Sequence, residues 1–242
     1  MMRIGIIGFG FMGRMHYRCW NAIAGMNVTA ICDANPQAFT SSKAADGNIG
    51  GAADTIDLSS VRTFTSFDEL LSSGLTDVLS ITLPTHMHPD FTIKALASGR
   101  HVLCEKPMAL TVEDCDKMIT AAKSSGKLLQ IGHCIRFWPE YAVTREIVRN
   151  GKYGKVLAAD FQRFSPMPAW NTSNWFTDEK RSGGMPLDLH VHDSDFVQHL
   201  FGMPDAVFST ADPRMTHMSA SFLYKDGPVI TADASWRVAP KF

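Results

Sequence analysis

The chain has 242 residues, a formal net charge of −1 and 45% hydrophobic residues. This length suits two domains, because single domains most often hold about 100 to 150 residues. The near-neutral charge gives no electrostatic reason to bind nucleic acid, and the apolar stretch at the start is far too short for a membrane anchor. The five cysteines are scattered, without the close spacing of a zinc site, and predict reduced thiols in a cytoplasmic protein.

The first half of the chain alternates short apolar runs with helical patterns, which is typical of βαβ units in a parallel sheet. Strands are predicted over 3–7, 27–32, 77–81, 101–104 and 127–131. Helices are predicted over 12–23, 35–45 and 88–98, and after the capping boxes that begin at Ser66 and Thr111. The helix after Thr111 is expected to bury Cys115, Met118, Ile119 and Ala122. Residues 46–60 are assigned to a surface excursion because Gly, Asp, Ser and Ala dominate them.

Beyond residue 134 the strands become longer and the helices fewer. Helices are predicted over 139–150 and 188–201, and strands over 155–164, near Val207, over 219–223 and over 229–236. We therefore expect an α/β domain over 1–134 with a doubly wound parallel sheet. Residues 135–242 should form an α+β domain with a largely antiparallel open sheet.

A glycine-rich turn, GFGFMG, directly follows the first strand and opens the first helix. Gly8 permits the tight turn, Gly10 lets the backbone approach a pyrophosphate, and Gly13 allows close helix–strand packing, so the segment with Phe11 and Met12 predicts a Rossmann dinucleotide site. Asp33 ends the second strand, where a carboxylate accepts hydrogen bonds from the adenosine ribose. Because residues 34–38 contain no arginine to receive a 2′-phosphate, NAD is expected in preference to NADP.

Lys106 follows the strand 101–104, and open parallel sheets bind ligands at this carboxyl edge. Its ammonium would stabilise a developing alkoxide beside a nicotinamide. From position alone, a solvated surface lysine is an equal alternative.

Asp188 and His192 are four residues apart, so in an α-helix both project from one face. Histidine accepts a hydroxyl proton near neutral pH, and a neighbouring carboxylate fixes its orientation. The alternative is that His192 is an ordinary histidine behind a helix cap.

A metal-dependent hydrolase is a further hypothesis. It is based on a cluster of side chains that can bind metal and on a second His-x-His pair at His86 and His88. The cluster comprises Asp188, His190, His192, Asp193 and Asp195.

Five segments together resemble the family of glucose-fructose oxidoreductase, inositol dehydrogenase and their relatives (Gfo/Idh/MocA), over nearly the whole chain. They are GFGFMG, LPTHMH at 83–88, CEKP at 104–107, GHCIRFWPEY at 132–141 and GGMPLDLHVHD at 183–193. The resemblance implies that Lys106, Asp188 and His192 are catalytic. It also implies that Glu105, Leu83, Thr85 and His88 lie along the cofactor and that Arg136 and Trp175 lie near the substrate. No metal is expected at the site.

The resemblance further implies a homo-oligomer, a dimer or tetramer, formed through the sheet of the second domain. In the family pattern the second domain continues with further strands. We therefore expect the second domain of this chain to be incomplete, with those strands missing after Phe242. Within 165–176, the side chains of Trp170, Asn171, Asn174 and Trp175 could contact a sugar ring or pack in a surface loop.

The sequence therefore predicts an NAD-dependent oxidoreductase that transfers hydride between nicotinamide and a hydroxyl carbon of a sugar or polyol. Two alternatives stay open at this point. One is a nucleotide-binding regulatory or inactive homologue, and the other is the metal-dependent hydrolase.

Overall fold

A computed structural model describes residues 1–40, 56–168 and 175–239. The chain divides into two compact units, the first ending at Gly132 and the second beginning at His133. Each unit has its own sheet and its own apolar core.

The first unit contains a six-stranded, all-parallel sheet in the order β3-β2-β1-β4-β5-β6. Its strands are β1 Met2–Ile7, β2 Met26–Cys32, β3 Arg62–Phe64, β4 Val78–Ile81, β5 His101–Cys104 and β6 Leu129–Ile131. Its helices are α1 Phe11–Asn21, α2 Phe67–Ser72, α3 His88–Ala97 and α4 Val112–Ser125. This architecture confirms the predicted doubly wound α/β fold.

The sheet is buried on both faces, which explains why its central strands are continuous apolar runs. Ile4 and Ile6 of β1 pack into one core cluster, and Ile7 packs into the other with Leu79 and Ile81 of β4. Because the strands are parallel, the loops after β1, β4, β5 and β6 leave the sheet at one edge, and the candidate site begins there.

Several predictions for the first unit need correction. Strand β3 was not predicted, and within the described part of 35–45 the chain forms only a 3₁₀ turn, Pro36–Phe39, which the Asn35 side chain caps by accepting from Gln37 N. Ile119 was expected to be buried but is 40% exposed, whereas Met118 is fully buried. Residues 41–55, which include most of the predicted surface excursion, lie outside the described residues.

The second unit contains a four-stranded mixed sheet in the order β7-β10-β9-β8. Its strands are β7 Ala158–Phe164, β8 Ala206–Ala211, β9 His217–Leu223 and β10 Val229–Ser235. Its helices are α5 Pro139–Asn150, α6 Glu179–Ser182 and α7 Val191–Phe201. Strand β9 is antiparallel to both of its neighbours and β7 is parallel to β10, so the sheet is largely antiparallel, as predicted.

Helix α7 covers one face of this sheet. Val197 packs in one cluster with Ala220 and Phe222 of β9 and Ile230 of β10. The helix predicted over 188–201 is wrong in its first part, because a π-helical turn, Pro186–His190, precedes α7. In the described ranges, no helix combines the length and the apolar character needed to cross a lipid bilayer.

Candidate functional site

The glycine turn after β1 has room for a side chain at only one of its three glycines. Gly8 has φ +88°, and a Cβ there would lie 2.9 Å from the carbonyl oxygen of Thr82. A Cβ on Gly13 would overlap the carbonyl oxygen of Gly8. A Cβ on Gly10 would meet no atom within 4 Å, so this glycine faces open space. Such a turn lets a ligand approach the backbone closely at Gly10.

Two side chains hold the turn in place. The Thr82 hydroxyl, just after β4, donates to Gly8 O at 2.7 Å. Asp33, just after β2, accepts from Phe9 N at 2.7 Å through Oδ2 and from Asn35 N at 2.9 Å through Oδ1. Asp33 therefore shapes the turn itself, in addition to any contact that it makes with a ribose.

Helix α1 begins directly after this turn, and its cap residue, Gly10, has no side chain to bond the first-turn N–H groups. The positive end of the helix dipole and these N–H groups favour an anion. The open space at Gly10 and the held turn thus fit a dinucleotide, whose pyrophosphate would be bound by the backbone of Gly10, Phe11 and Met12.

An arginine that the sequence analysis overlooked lies beside the segment after Asp33. Arg14 Nη2 donates to Ala38 O at 2.8 Å, and its guanidinium lies 4.9 Å from the centre of the Phe9 ring. Burial and the charge of Arg18 lower the pKa of Arg14. Residues 34–38 themselves contain no arginine, but the fold brings the Arg14 cation from α1 to Ala38.

The segment after β5 carries Glu105 and Lys106, followed by a cis peptide bond to Pro107. Glu105 Oε1 lies 2.9 Å from His16 Nε2, and its Oε2 accepts from Lys106 N at 3.1 Å. Burial raises the pKa of Glu105, but its contacts with His16 and Lys106 outweigh burial and the net shift is downward. The Glu105 carboxylate is therefore held as an anion inside the first unit.

His88, which begins α3, joins the loops after β4 and β5. It is 1% exposed, and its two ring nitrogens each lie 2.8 Å from a carbonyl oxygen, Nδ1 from Pro107 and Nε2 from Leu83. Burial lowers the pKa of His88, although both carbonyl contacts favour the protonated ring. Thr85 is also buried, whereas Leu83 is partly exposed, so any effect of His88 on a cofactor would be transmitted through these loops.

In the second unit, Asp188 lies in the π-helical turn and His192 lies in the first turn of α7. The rule that residues four apart share a face holds for α-helices, and a π-helical turn is wider. The four-residue spacing therefore does not by itself place Asp188 and His192 on one face of the observed backbone.

The side chains around His192 form structural contacts. Asp193 is 2% exposed and bonds Arg163 through both carboxylate oxygens, at 2.7 and 2.9 Å, while Arg163 Nη2 also donates to the Tyr141 hydroxyl at 2.8 Å. His190 Nε2 lies 3.1 Å from Ala232 O. These contacts anchor the start of α7 to β7, β10 and α5.

The metal-dependent hydrolase is not supported. Three of its five candidate ligands are engaged otherwise, since Asp195 forms a bidentate pair with Arg136 while His190 and Asp193 make the contacts described above. Within residues 1–40, 56–168 and 175–239, no three His, Cys, Asp or Glu side chains are grouped closely enough to hold a metal ion.

The structure describes some of the residues that were predicted to contact substrate and leaves others outside the described ranges. Arg136 is occupied by Asp195, and Trp175 stacks on Phe176 with ring centroids 4.0 Å apart. Trp170, Asn171 and Asn174 lie outside the described residues.

Comparisons with known proteins agree with this arrangement. The model of the GFO_IDH_MocA oxidoreductase family, described as an NAD-binding Rossmann fold, matches residues 2–133, and the model of the GFO/IDH/MocA C-terminal domain matches residues 141–242. The chain is 28% identical over 226 residues to 2,7-anhydro-N-acetylneuraminate hydratase of Escherichia coli, covering 93% of this chain and 56% of that protein.

A second relative is inositol 2-dehydrogenase/D-chiro-inositol 3-dehydrogenase of Lactiplantibacillus plantarum, which is 29% identical over 94% of this chain and 60% of its own length. The solved structure of myo-inositol 2-dehydrogenase from Lactobacillus plantarum matches with a TM-score of 0.81 and 26% identity, covering 97% of this chain and 69% of that one. The chain thus spans little more than half the length of these two curated relatives.

Proposed function

Because the chain belongs to the GFO/IDH/MocA family of oxidoreductases, we propose that it is a cytoplasmic NAD-dependent enzyme that transfers hydride between nicotinamide and a hydroxyl carbon of a sugar or polyol. The observation that carries this proposal is the glycine turn, which Asp33 and Thr82 hold open at Gly10. The relative named as an inositol dehydrogenase supports the substrate class.

The residue roles follow from the family resemblance and from elementary chemistry. Bound nicotinamide would supply the hydride acceptor or donor. The Lys106 ammonium would bind the reacting hydroxyl and stabilise the alkoxide as the proton leaves. His192 would take that proton, and Asp188 would orient these groups. In the reverse direction, His192 would return the proton to the carbonyl oxygen of the product.

Replacing Lys106 or His192 with alanine is expected to lower turnover by about a hundredfold or more while dinucleotide affinity changes little. The reason is that both side chains would act on the substrate hydroxyl and not on the nucleotide. Steady-state kinetics with a polyol, together with calorimetric titration of each variant with NAD, would measure the two effects. Wild-type turnover in either variant would contradict its role.

The preference for NAD over NADP belongs to the same proposal. Asp33 disfavours a 2′-phosphate through like charge, while Arg14 beside Ala38 acts in the opposite direction. Calorimetric titration of the folded chain with each dinucleotide tests binding directly. Tighter binding of NAD than of NADP would support the proposed dinucleotide site and its preference. A folded protein that binds neither dinucleotide would refute the site.

Asp33→Ala is expected to weaken the binding of NAD more than the binding of NADP. The two dissociation constants should therefore become more similar. Because Asp33 also accepts from Phe9 N, the variant's thermal unfolding midpoint must be measured beside its affinities. An unchanged affinity ratio would mean that Asp33 serves only to hold the turn.

A second candidate activity comes from the relative named as a hydratase. A hydratase adds or removes water, so an assay that follows only NADH formation would not detect it. Product analysis by mass spectrometry, with anhydro-sugar substrates and catalytic NAD, distinguishes the two activities. NAD binding without turnover in either assay would favour the nucleotide-binding regulatory alternative.

A homo-oligomer through the sheet of the second unit is also part of this proposal. Every residue of β8 is exposed, including Val207 at 54% and Phe208 at 65%. Sedimentation of the wild-type chain and of Phe208→Asp tests whether copies associate through this strand.

A further inference from the structure

A hydrogen-bonded series of side chains links helix α1 to the segment after β5. Trp20 Nε1 donates to Ser80 Oγ at 3.3 Å, Ser80 Oγ lies 2.6 Å from His16 Nδ1, and His16 Nε2 lies 2.9 Å from Glu105 Oε1. All four residues belong to the first unit. The side chains of His16 and Glu105 are only 12% and 14% exposed.

The direction of the bond to Glu105 follows from the charge of the carboxylate. The ionised carboxylate can only accept, so His16 Nε2 carries the hydrogen and donates to Glu105 Oε1. Ser80 Oγ accepts from the Trp20 indole and, with a second lone pair and one hydrogen, holds His16 Nδ1 on the other side of the ring. This arrangement orients the imidazole and gives the buried carboxylate a donor.

The order serine, histidine, carboxylate is also that of a hydrolase triad, but the surroundings do not allow that chemistry. Ser80 lies within β4 and is fully buried, so no substrate reaches its hydroxyl. The series therefore holds groups in position and does not supply a nucleophile.

Glu105 is enclosed on three sides. His16 contacts Oε1, Lys106 N donates to Oε2, and Gly132 after β6 leaves so little room that a Cβ there would lie 3.2 Å from Oε1. The carboxylate thus joins α1, the backbone at Lys106 and the end of β6.

We propose that His16 is a positioning residue that fixes Glu105 and, through the hydrogen bond from Lys106 N, the backbone that carries the Lys106 side chain. His16 lies one helical turn after Gly13, so the same helix would bear the dinucleotide turn and orient the lysine. The relevance to catalysis rests on the proposed function, whereas the positioning of the Lys106 backbone does not.

Two amide variants test the two ring nitrogens of His16 one at a time. In His16→Gln the side-chain amide occupies the place of Nε2 and keeps a donor for Glu105. In His16→Asn the shorter amide occupies the place of Nδ1, keeps the contact with Ser80 and loses Glu105. Both side chains are uncharged and polar, so each variant controls for the other.

The first measurement is hydrogen exchange of the Lys106 amide by NMR in the full chain without ligand. We expect exchange to be about tenfold faster in His16→Asn and near the wild-type rate in His16→Gln. Wild-type exchange in both variants, or equal acceleration in both, would overturn the proposal. If His16→Asn does not fold, His16→Ala, which also leaves Glu105 Oε1 without its imidazole donor, should show the same acceleration, and wild-type exchange there would also overturn the proposal.

The second measurement uses the dinucleotide and the substrate. His16→Asn should lower kcat about tenfold and leave the dissociation constant of NAD within about threefold of wild type, and His16→Gln should restore kcat. A wild-type chain that binds no NAD refutes the proposed function, and the exchange data still decide the role of His16. Normal kcat in His16→Asn would refute the catalytic consequence alone.

Discussion

Replacing Asp193 with alanine is expected to destabilise the folded chain by about 3 to 5 kcal/mol, because it leaves a largely buried arginine without its counter-ion. Asp193 bonds Arg163 through both oxygens, and the Arg163 side chain is only 18% exposed. Burial lowers the pKa of Arg163, but the hydrogen bonds and charge of Asp193 outweigh burial and raise it. In the variant, Arg163 Nη2 would still donate to the Tyr141 hydroxyl, which carries no charge to offset that of the guanidinium.

Urea denaturation followed by circular dichroism measures this loss, and Glu146→Ala is the matched control. Glu146 also pairs with an arginine, Arg145, at 3.3 Å in the same unit, but its side chain is 62% exposed. Its removal should therefore cost about 0.5 kcal/mol or less. If Asp193→Ala lost no more stability than Glu146→Ala, the buried pair would not hold the start of α7.

The sequence predicted the parts of the fold that depend on local pattern. Strands β1, β4 and β5 are apolar runs because the sheet is covered on both faces, and the glycine turn follows from the close contacts at Gly8 and Gly13. Strand β3 escaped prediction because it has three residues and Arg62 and Thr63 are exposed, so no apolar run marks it. The π-helical turn before α7 escaped because its hydrophobic pattern differs little from that of an α-helix.

The contacts around the candidate site depend on strand order and could not be inferred from local pattern. His16 and Glu105 are 89 residues apart and meet because β1, β4 and β5 are neighbours in the sheet. The sequence did contain one signal for His16. It follows Gly13 by three residues, so in a helix both residues lie on the same face, and His16 faces the side on which α1 packs against the strands. Arg14 gave no such signal, because its position beside Ala38 requires the course of the chain after β2.

Gly13→Ala is expected to displace the glycine turn, lowering stability by about 1 to 3 kcal/mol and abolishing measurable NAD binding. The added methyl group would overlap the carbonyl oxygen of Gly8, which the Thr82 hydroxyl holds in place, so the helix or the turn must move. Thermal unfolding and calorimetric titration with NAD measure both losses. A stable variant that binds NAD normally would contradict the close packing of α1 against the turn.

Gly10→Ala is the control that separates folding from binding. Gly10 has φ −75°, which alanine adopts readily, and its Cβ would meet no protein atom within 4 Å, so stability should change by only about 0.5 kcal/mol. The methyl group would nevertheless occupy the space where a pyrophosphate approaches the backbone, and NAD affinity should fall by about tenfold or more. Loss of binding without loss of stability would locate the dinucleotide at this turn, because the added methyl group would contact no protein atom within 4 Å. Unchanged affinity in Gly10→Ala would mean that the pyrophosphate does not bind there.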